Sequence, residues 1–327
     1  MPIGSGLTLK HLRCLTAVAE HRSLTAAAAA RNLTTPAIHS QIKGLEAQVG
    51  RPVVFRAADG TGFDLTQAGR VLLRAADRIE ASLSQAGAAL DALAQGHQGH
   101  VTLSVVSTAK YFAPRLVRLL GDAAPEIAVR LRVGNRGAVI EDLEAGRADL
   151  AIMGRPPRRP VLEAEPLGPH PHGVILPPGH PLAGHDGFDP AALLAETFLS
   201  REQGSGTRTL MARFLDRFAE GVEPEMIEMD SNETIKQAVI AGLGVAFLSL
   251  HTVCDELATG RLVLLRGPAF PVMRHWYLMR PSETPPTNAA RRIAEKIINL
   301  GGVYFPTLPC APSAAPWAVR PAAPRNP

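Results

Sequence analysis

Small hydroxyl residues and arginines recur where predicted strands give way to helices in the second half of the chain. Those that follow the first three predicted strands of this half are Ser107, Thr108, Asn135, Arg136 and Arg155. Small residues let backbone N–H groups approach a ligand, and arginine is a bidentate donor to anions. Because open α/β sheets bind ligands beyond their strand ends, these groups predict a polar cleft for a small phosphorylated or carboxylated metabolite.

A glycine-flanked segment is expected at the same cleft. It reads Gly204-Ser205-Gly206-Thr207-Arg208 and follows a predicted strand that ends at Arg201. The segment lacks the Gly-Lys-Ser/Thr ending of a nucleotide P-loop, so it does not indicate nucleotide hydrolysis. Asn232 and Glu233, which open a later helix, are assigned to the same effector site. Taken singly, each of these residues could instead be a helix cap or a surface charge.

The sequence shows no pattern typical of catalysis or of metal binding. Ser205 lacks the wider Gly-x-Ser-x-Gly elbow of a hydrolase. Four histidines of a proline-rich stretch lack metal-ligand spacing and are expected to be solvated loop residues: His170, His172, His180 and His185. We therefore expect no metal, no cofactor other than a small-molecule effector, and no enzymatic activity.

A second group of candidate residues lies in a helix-turn-helix pattern near the N-terminus. Ser23 can cap one short helix, and Thr34 or Thr35 can begin the next. Ile38, Ile42 and Leu45 give this second helix an apolar face, so its other side is free to reach base edges or phosphate. The residues predicted to contact DNA are Ser23, Thr25, Thr34, Thr35, Pro36, His39, Ser40, Lys43 and Arg56.

The distribution of charge supports this interpretation. The chain carries a formal net charge of only +4, but residues 31–56 hold four cations against Glu46 alone, a local balance of +3. Such clustering is typical of a nucleic-acid-binding face. An ordinary solvated helix with capping threonines would give the same short motif.

A heptad pattern follows at residues 68–96, where proline is absent. Its aliphatic positions, spaced alternately by four and three residues, predict a helix that pairs with a second copy. The residues assigned to dimerisation are Leu72, Ile79, Leu83 and Leu90. The alternative is that this stripe packs within its own subunit.

From Val101 the pattern changes to alternating strands and helices, which predicts parallel strands with crossover helices. An interruption rich in proline, glycine and histidine near residues 154–190 suggests two subdomains. We assign residues 7–67 to DNA binding, 68–96 to the linker helix and 101–303 to effector binding. Residues 304–327, rich in proline and alanine, are expected to be a disordered tail.

Length and composition bound the class of protein. The 327 residues, 46% of them hydrophobic, correspond to roughly two domains. No apolar run is long enough for a membrane-spanning helix, and the first residues do not form a secretory signal. Cys14, Cys254 and Cys310 lack metal-ligand spacing and are typical of a reducing compartment, so a cytoplasmic protein without a membrane partner is expected.

These features together resemble a LysR-type transcriptional regulator. In the first domain the resemblance rests on Leu33-Thr34-Thr35-Pro36-Ala37-Ile38-His39-Ser40-Gln41-Ile42-Lys43-Gly44-Leu45-Glu46, on Val49-Gly50 and on Leu65-Thr66-Gln67-Ala68-Gly69. In the effector half, residues 133–136, 151–157, 204–208 and 231–238 are similar to the branch that regulates carbon-fixation (Calvin cycle, RuBisCO) operons.

The resemblance implies a multidomain α/β protein: a winged helix-turn-helix, a coiled-coil linker helix and an α/β module of two subdomains like periplasmic binding proteins. It implies promoter DNA as a partner, and dimers that pair into tetramers; RNA polymerase could be a further partner. The implied effectors are sugar phosphates, phosphoenolpyruvate or NADPH.

The chain departs from the family pattern at three places. Thr35 stands where glutamine is usual, and His39 where serine is usual. The wing at residues 57–64 is two residues longer and carries Asp59 and Asp64 where basic residues are common, which predicts weaker wing–phosphate contacts.

Two other interpretations stay open at this point. The chain could regulate another metabolic operon. It could also be a cytoplasmic small-molecule-binding protein, or an enzyme, whose first helices serve only in oligomerisation and bind no DNA.

Overall fold

The computed structural model describes residues 6–57, 60, 62–184, 187–218, 224–268, 270–282 and 285–309. The chain divides into two compact units. The first comprises residues 1–87 with 145–147, and the second comprises residues 88–144 and 148–327. Within the described residues, no helix is both long and apolar enough to cross a membrane.

The first unit begins with three helices, α1 (Leu9–His21), α2 (Leu24–Ala30) and α3 (Thr35–Val49). Helices α2 and α3 begin where the sequence predicts, because the hydroxyls of Ser23 and Thr34 accept hydrogen bonds from backbone N–H groups of their first turns. Their apolar faces meet in one core with part of the following strand and helix: Cys14, Leu15, Ala17, Val18, Ala27, Ala28, Ile38, Ile42, Leu45, Val53 and Leu72.

A two-stranded antiparallel wing, β1 (Val54–Arg56) and β2 (Phe63–Leu65), follows α3. The Phe63 N–H donates to the Arg22 carbonyl at 2.8 Å, and the Arg22 guanidinium pairs with Asp64 at 2.9 Å. A Cβ at Gly62 would lie 2.2 Å from the same carbonyl oxygen, so only glycine fits there. Asp64, expected to weaken phosphate contacts, is thus paired with a cation, while Asp59 lies outside the described residues.

The predicted linker helix is present as α4 (Gln67–Ala94). The seam prediction is wrong for Leu72, which is only 5% exposed because it packs in the core of the first unit. Beyond it the aliphatic positions are uncovered: Ile79 is 41% exposed, Leu83 48% and Leu90 67%. These three residues, with Leu93, form the apolar seam of α4.

The second unit begins with parallel strands β3 (Gly99–Val106), β4 (Ile127–Gly134) and β5 (Leu150–Met153), connected by α5 (Ala113–Ala123) and α6 (Arg136–Glu144). Two long antiparallel strands, β6 (Leu162–Leu176) and β11 (Val272–Pro281), extend this sheet. Strands β6, β11, β5, β3 and β4 lie side by side in this order.

The C-terminal end of β6 also pairs with β9 (Ala246–Ser249) and β10 (Val263–Leu264), which belong to the second half of the unit. That half adds the parallel pair β7 (Phe198–Arg201) and β8 (Met226–Met229). Its helices are α7 (Pro190–Leu194), α8 (Gly206–Leu215), α9 (Asn232–Ile240) and α10 (Cys254–Ala258). Helix α11 (Asn288–Asn299) returns to pack against β3. The unit therefore has two subdomains that share β6, as the sequence predicts.

Three predictions for the second unit are wrong. The strands were expected to be parallel, but β6, β9, β10 and β11 pair antiparallel. His170 and His172, expected in a solvated loop, lie in β6 and are 5% and 4% exposed, because His170 stacks on Trp276 and His172 on Phe247. The tail does not start at residue 304, since Tyr304 is 1% exposed and packs with Phe112. Residues 310–327 of the tail lie outside the described part of the chain.

Candidate effector pocket and nucleic-acid interface

A cavity of about 390 Å³ lies where the ends of β3, β4 and β5 face the N-terminus of α8. This volume is typical of small-molecule sites. We call it the arginine pocket. Seven residues assigned to the effector site from sequence line it: Ser107, Thr108, Asn135, Arg136, Arg155, Ser205 and Thr207.

The lining is strongly basic. Five arginines contribute to it and no aspartate or glutamate does: Arg136, Arg155, Arg158, Arg213 and Arg274. Burial and the nearby charges of Arg155 and Arg213 lower the pKa of Arg136 from its ordinary value. The arginines of the pocket therefore repel one another, and a bound anion would relieve that repulsion.

Helix α8 adds a backbone contribution. Ser205, Gly206 and Thr207 at its start line the pocket, so the positive end of the helix dipole faces the same cavity as the arginines. The Ser205 hydroxyl caps the helix by accepting from the Thr207 N–H at 3.2 Å. Phosphate and carboxylate groups are the ligands that such helix ends favour.

Two histidines that the sequence placed in a loop form part of the pocket wall. The His170 ring stacks on Trp276 with 3.7 Å between centroids, and its Nε2 lies 2.9 Å from the Ser249 hydroxyl. His172 Nδ1 lies 3.0 Å from the His170 carbonyl oxygen, to which it donates. Behind them, Trp276 Nε1 donates to His251 Nδ1 at 3.1 Å.

Burial makes all three rings neutral near pH 7. It lowers the pKa of His172 to about 3 and that of His251 to about 4, and it holds the pKa of His170 well below its usual range. The positive charge of the pocket therefore comes from its arginines and not from these histidines.

These shifts predict that the protein loses stability on mild acidification. In the unfolded state the histidines have pKa values near 6.5 and become protonated below that pH, whereas the buried rings of the folded state stay neutral. The free energy of unfolding should therefore fall with pH between 6.5 and 5, by up to about 1.4 kcal/mol per pH unit for each buried ring.

Urea unfolding followed through the fluorescence of Trp276 would measure this slope. His251→Gln should reduce it, whereas the control His275→Gln, at an exposed position, should leave it unchanged. A free energy that stays constant over this pH interval would contradict the assignment of neutral buried rings.

Four residues assigned to the effector site do not line the pocket. Arg208 pairs with Glu228 and donates to the Arg201 carbonyl at 3.1 Å. The pocket-lining positions of α8 are 206, 207, 209, 210 and 213, and position 208 points away from the side of the helix that they share. Gly204, with φ +84°, forms the turn before the helix instead.

Asn232 and Glu233 belong to a polar network next to the pocket. Asn232 Oδ1 accepts from Arg201 Nη1 at 2.5 Å, and Arg201 Nη2 also donates to the Ser107 hydroxyl at 3.3 Å. Glu233 accepts from the Tyr111 hydroxyl and pairs with Lys236 at 3.1 Å. The sequence assigns both residues to the site because they lie at the start of α9. In the structure they bind Arg201, Tyr111 and Lys236, which are neighbours of the pocket.

Sequence reasoning missed part of the lining. The missed polar residues are Arg158, His170, His172, Thr209, Arg213 and Arg274. A signal existed for Thr209 and Arg213, which follow Gly206 at spacings of three and seven. No local signal existed for Arg274, since its place depends on pairing with His170 across β11 and β6.

In the first unit, the residues assigned to DNA lie on the surface of α3 and its neighbours. Pro36, His39, Ser40 and Lys43 are exposed on α3, opposite its buried apolar face. Thr25 and Arg56 are exposed on α2 and β1, Thr34 is exposed, and Ser23 and Thr35 are half-buried. The geometry is that of a recognition helix with a free outer face.

The charge of Lys43 is engaged within the protein. Its Nζ lies 2.7 Å from a carboxylate oxygen of Glu46, whose other oxygen accepts from the Val53 N–H at 3.0 Å. Glu46 is therefore fixed by the start of the wing, and the pKa of its carboxyl is lowered from its ordinary value. A DNA phosphate would have to compete with Glu46 for this ammonium group.

Lys43→Ala is expected to weaken DNA binding across sequences and to lower the slope of log K against log salt by about 1, if the ammonium group releases one counterion. Mobility shift at several salt concentrations would measure this slope. Lys10→Ala, at an exposed α1 position, is the control and should retain the wild-type slope. An unchanged slope for Lys43→Ala would count against its contact with phosphate.

A winged helix-turn-helix joined to a two-subdomain ligand pocket defines a ligand-responsive DNA-binding regulator. Residues 9–70 match the model for bacterial regulatory helix-turn-helix proteins of the lysR family, and residues 94–299 match the LysR substrate binding domain. The chain belongs to the LysR family of bacterial transcriptional regulators, which confirms the resemblance and the fold inferred from sequence.

Relatives and solved structures refine this placement. The chain is 54% identical over 303 residues to the HTH-type transcriptional regulator CbbR of Cereibacter sphaeroides, covering 93% of this chain and 98% of the relative. It is 40% identical to the RuBisCO operon transcriptional regulator of Allochromatium vinosum, covering 84% and 89%.

Two solved structures are similar. The CcmR regulatory domain of Synechocystis PCC6803 in complex with 2-PG has a TM-score of 0.58 and 34% identity, covering 62% of this chain and 96% of that one. Full-length CbnR complexed with its target DNA has a TM-score of 0.62 over 89% of this chain and 99% of that one. Its 22% identity makes it evidence for the fold alone.

Proposed function

We propose that this regulator controls a carbon-fixation (RuBisCO) operon and responds to a small anionic metabolite bound in the arginine pocket. The observation that carries the ligand class is a cavity lined by five arginines and no carboxylate. The operon is supported by the relatives, among them CbbR and a RuBisCO operon regulator. The metabolite is a sugar phosphate, phosphoenolpyruvate, a related phosphorylated acid or NADPH.

The ligand acts by shifting a conformational equilibrium. It contacts side chains from both subdomains, such as Arg136 at the start of α6 and Thr207 on α8, so it binds one degree of closure better than another. Only this difference in affinity can change how the DNA-reading helices are held.

The protein acts as a homo-oligomer. Two copies pair along the apolar seam of α4 and present two recognition helices, and dimers pair again into tetramers. RNA polymerase is a further partner at the promoter. Since its target is the chromosome, the protein acts in the cytoplasm.

Two measurements on the full-length protein test the proposal. Calorimetry with phosphoenolpyruvate, a sugar bisphosphate, 2-PG and NADPH should give binding heat for at least one, and no heat for any would refute the ligand class. Mobility shift should show competitor-resistant retardation of DNA upstream of a RuBisCO operon.

The second measurement also separates the alternatives. Retardation of other upstream DNA only would assign the protein to a different metabolic operon. Ligand binding without retardation of any DNA would support a metabolite-binding protein that is not a regulator.

A further inference from the structure

A second, larger cavity lies in the second unit, away from the arginine pocket. It measures about 850 Å³, and its walls come from β10, from the end of α10 and from the turns around them. We call it the β10 groove. Its apolar lining residues are Leu250, Leu257, Leu262, Val263, Leu264, Leu265, Phe270, Pro271, Leu308 and Pro309.

The chemistry of the β10 groove does not suit an anionic metabolite. Arg266 is the single charged residue of its lining, and it has an interaction partner within the protein. An apolar surface of this extent on a water-facing protein is normally covered by another apolar surface. The occupant is therefore expected to be a peptide segment with large apolar side chains.

The last described residues of the chain, Leu308 and Pro309, form part of the wall of the β10 groove. Leu308 packs against the buried cluster that contains Leu250 and Leu262, and Pro309, the last described residue, also lines the cavity. The polypeptide thus continues from a point already inside the groove. Whatever follows Pro309 has a high effective concentration at this surface.

The sequence that follows has suitable anchors. Residues 310–327 are mainly alanine and proline, and Trp317 and Val319 are their largest apolar side chains. Trp317 lies eight positions beyond Pro309, and at about 3.1 Å per residue an extended proline-rich segment of this length reaches roughly 25 Å. Burying one tryptophan removes about 150–250 Å² from water. The segment also lies beyond residue 299, where the match to the family's effector domain ends.

We propose that Trp317 and Val319 of the chain's own C-terminal segment occupy the β10 groove. The docked segment fastens β10, which pairs with the last residues of β6 through Val263–Leu176 and Leu264–Ile175. Strand β6 also carries His170 into the arginine pocket, so the segment stabilises a strand that contributes to the ligand site.

Fluorescence tests this directly, because the chain has only two tryptophans and Trp276 is fully buried. The difference between the full-length protein and its Trp317→Phe variant gives the emission of Trp317 alone. We expect a blue-shifted spectrum and several-fold weaker quenching by acrylamide than for free tryptophan amide. A solvated spectrum with full quenching would overturn the proposal.

A groove variant and a matched control locate the docked side chain. Leu257→Gln places an amide in the lining and should restore quenching of Trp317. Leu243→Gln makes the same change at a residue that is 54% exposed and outside the groove, so shielding should persist. Shielding that survives Leu257→Gln would place Trp317 elsewhere, and shielding that is lost on dilution would assign the occupant to a second copy.

Hydrogen exchange gives a readout that does not require a change in the groove. In the full-length Trp317→Ser variant, the backbone amides of residues 262–265 should exchange several-fold faster than in the wild type. Equal exchange rates would overturn the proposal.

Discussion

Arg136→Met is expected to weaken effector binding by roughly 10- to 100-fold, because one hydrogen bond to a charged group contributes about 1.5–3 kcal/mol. The variant should stay folded, and its free energy of unfolding should be little changed. The lost hydrogen bond from Arg136 Nη1 to the Arg155 carbonyl, 2.6 Å long, is offset by relief of repulsion from Arg155 and Arg213.

Calorimetry and thermal unfolding on the same samples would measure both effects. Arg208→Met is the matched control, since Arg208 precedes the pocket-facing Arg213 on α8 but pairs with Glu228. It should bind the effector as the wild type does. Equal losses in the two variants would indicate a general electrostatic effect instead of a local contact.

The double variant Leu83→Glu/Leu90→Glu is expected to be monomeric at micromolar concentration. Both side chains lie on the apolar seam of α4 and are about half to two-thirds exposed, at 48% and 67%. In a paired helix their carboxylates would be desolvated next to those of the second copy. Loss of pairing removes the second recognition helix, and DNA affinity should fall by roughly 10²- to 10⁴-fold.

Light scattering and mobility shift would measure the two consequences. Ser84→Glu/Gln95→Glu adds the same charge at exposed positions off the seam and should remain paired and active. A double variant that remains a dimer would show that α4 does not hold the copies together.

The first unit could be predicted from sequence because its signals are local. Ser23 and Thr34 cap helices within four residues of themselves, and the spacing of Ile38, Ile42 and Leu45 sets which face of α3 is buried. Such features depend on nearest neighbours along the chain. The same holds for the loops after β3, β4 and β5, where strand ends alone place Ser107, Asn135 and Arg155 at the pocket.

The remaining pocket residues depend on pairings between distant segments. The neighbouring prolines of His170 and His172 predict a loop, and it is the pairing of β6 with β11 and β9 that buries these rings. The sequence analysis assigns Arg208 to the site and omits Arg213, because the rotation of α8 about its axis is not set by the local motif. The apolar residues Met211, Phe214 and Leu215, which are buried, would have fixed that rotation.

The pairing of Lys43 with Glu46 has a consequence for how this protein searches a genome. Every encounter with DNA must exchange the Lys43–Glu46 ion pair for a pair with phosphate, so this lysine contributes less affinity than an unpaired cation would. A proper operator supplies further base contacts that offset the exchange. The carboxylate of Glu46 thereby lowers the sequence-independent part of the binding free energy, so base contacts supply a larger share of operator binding.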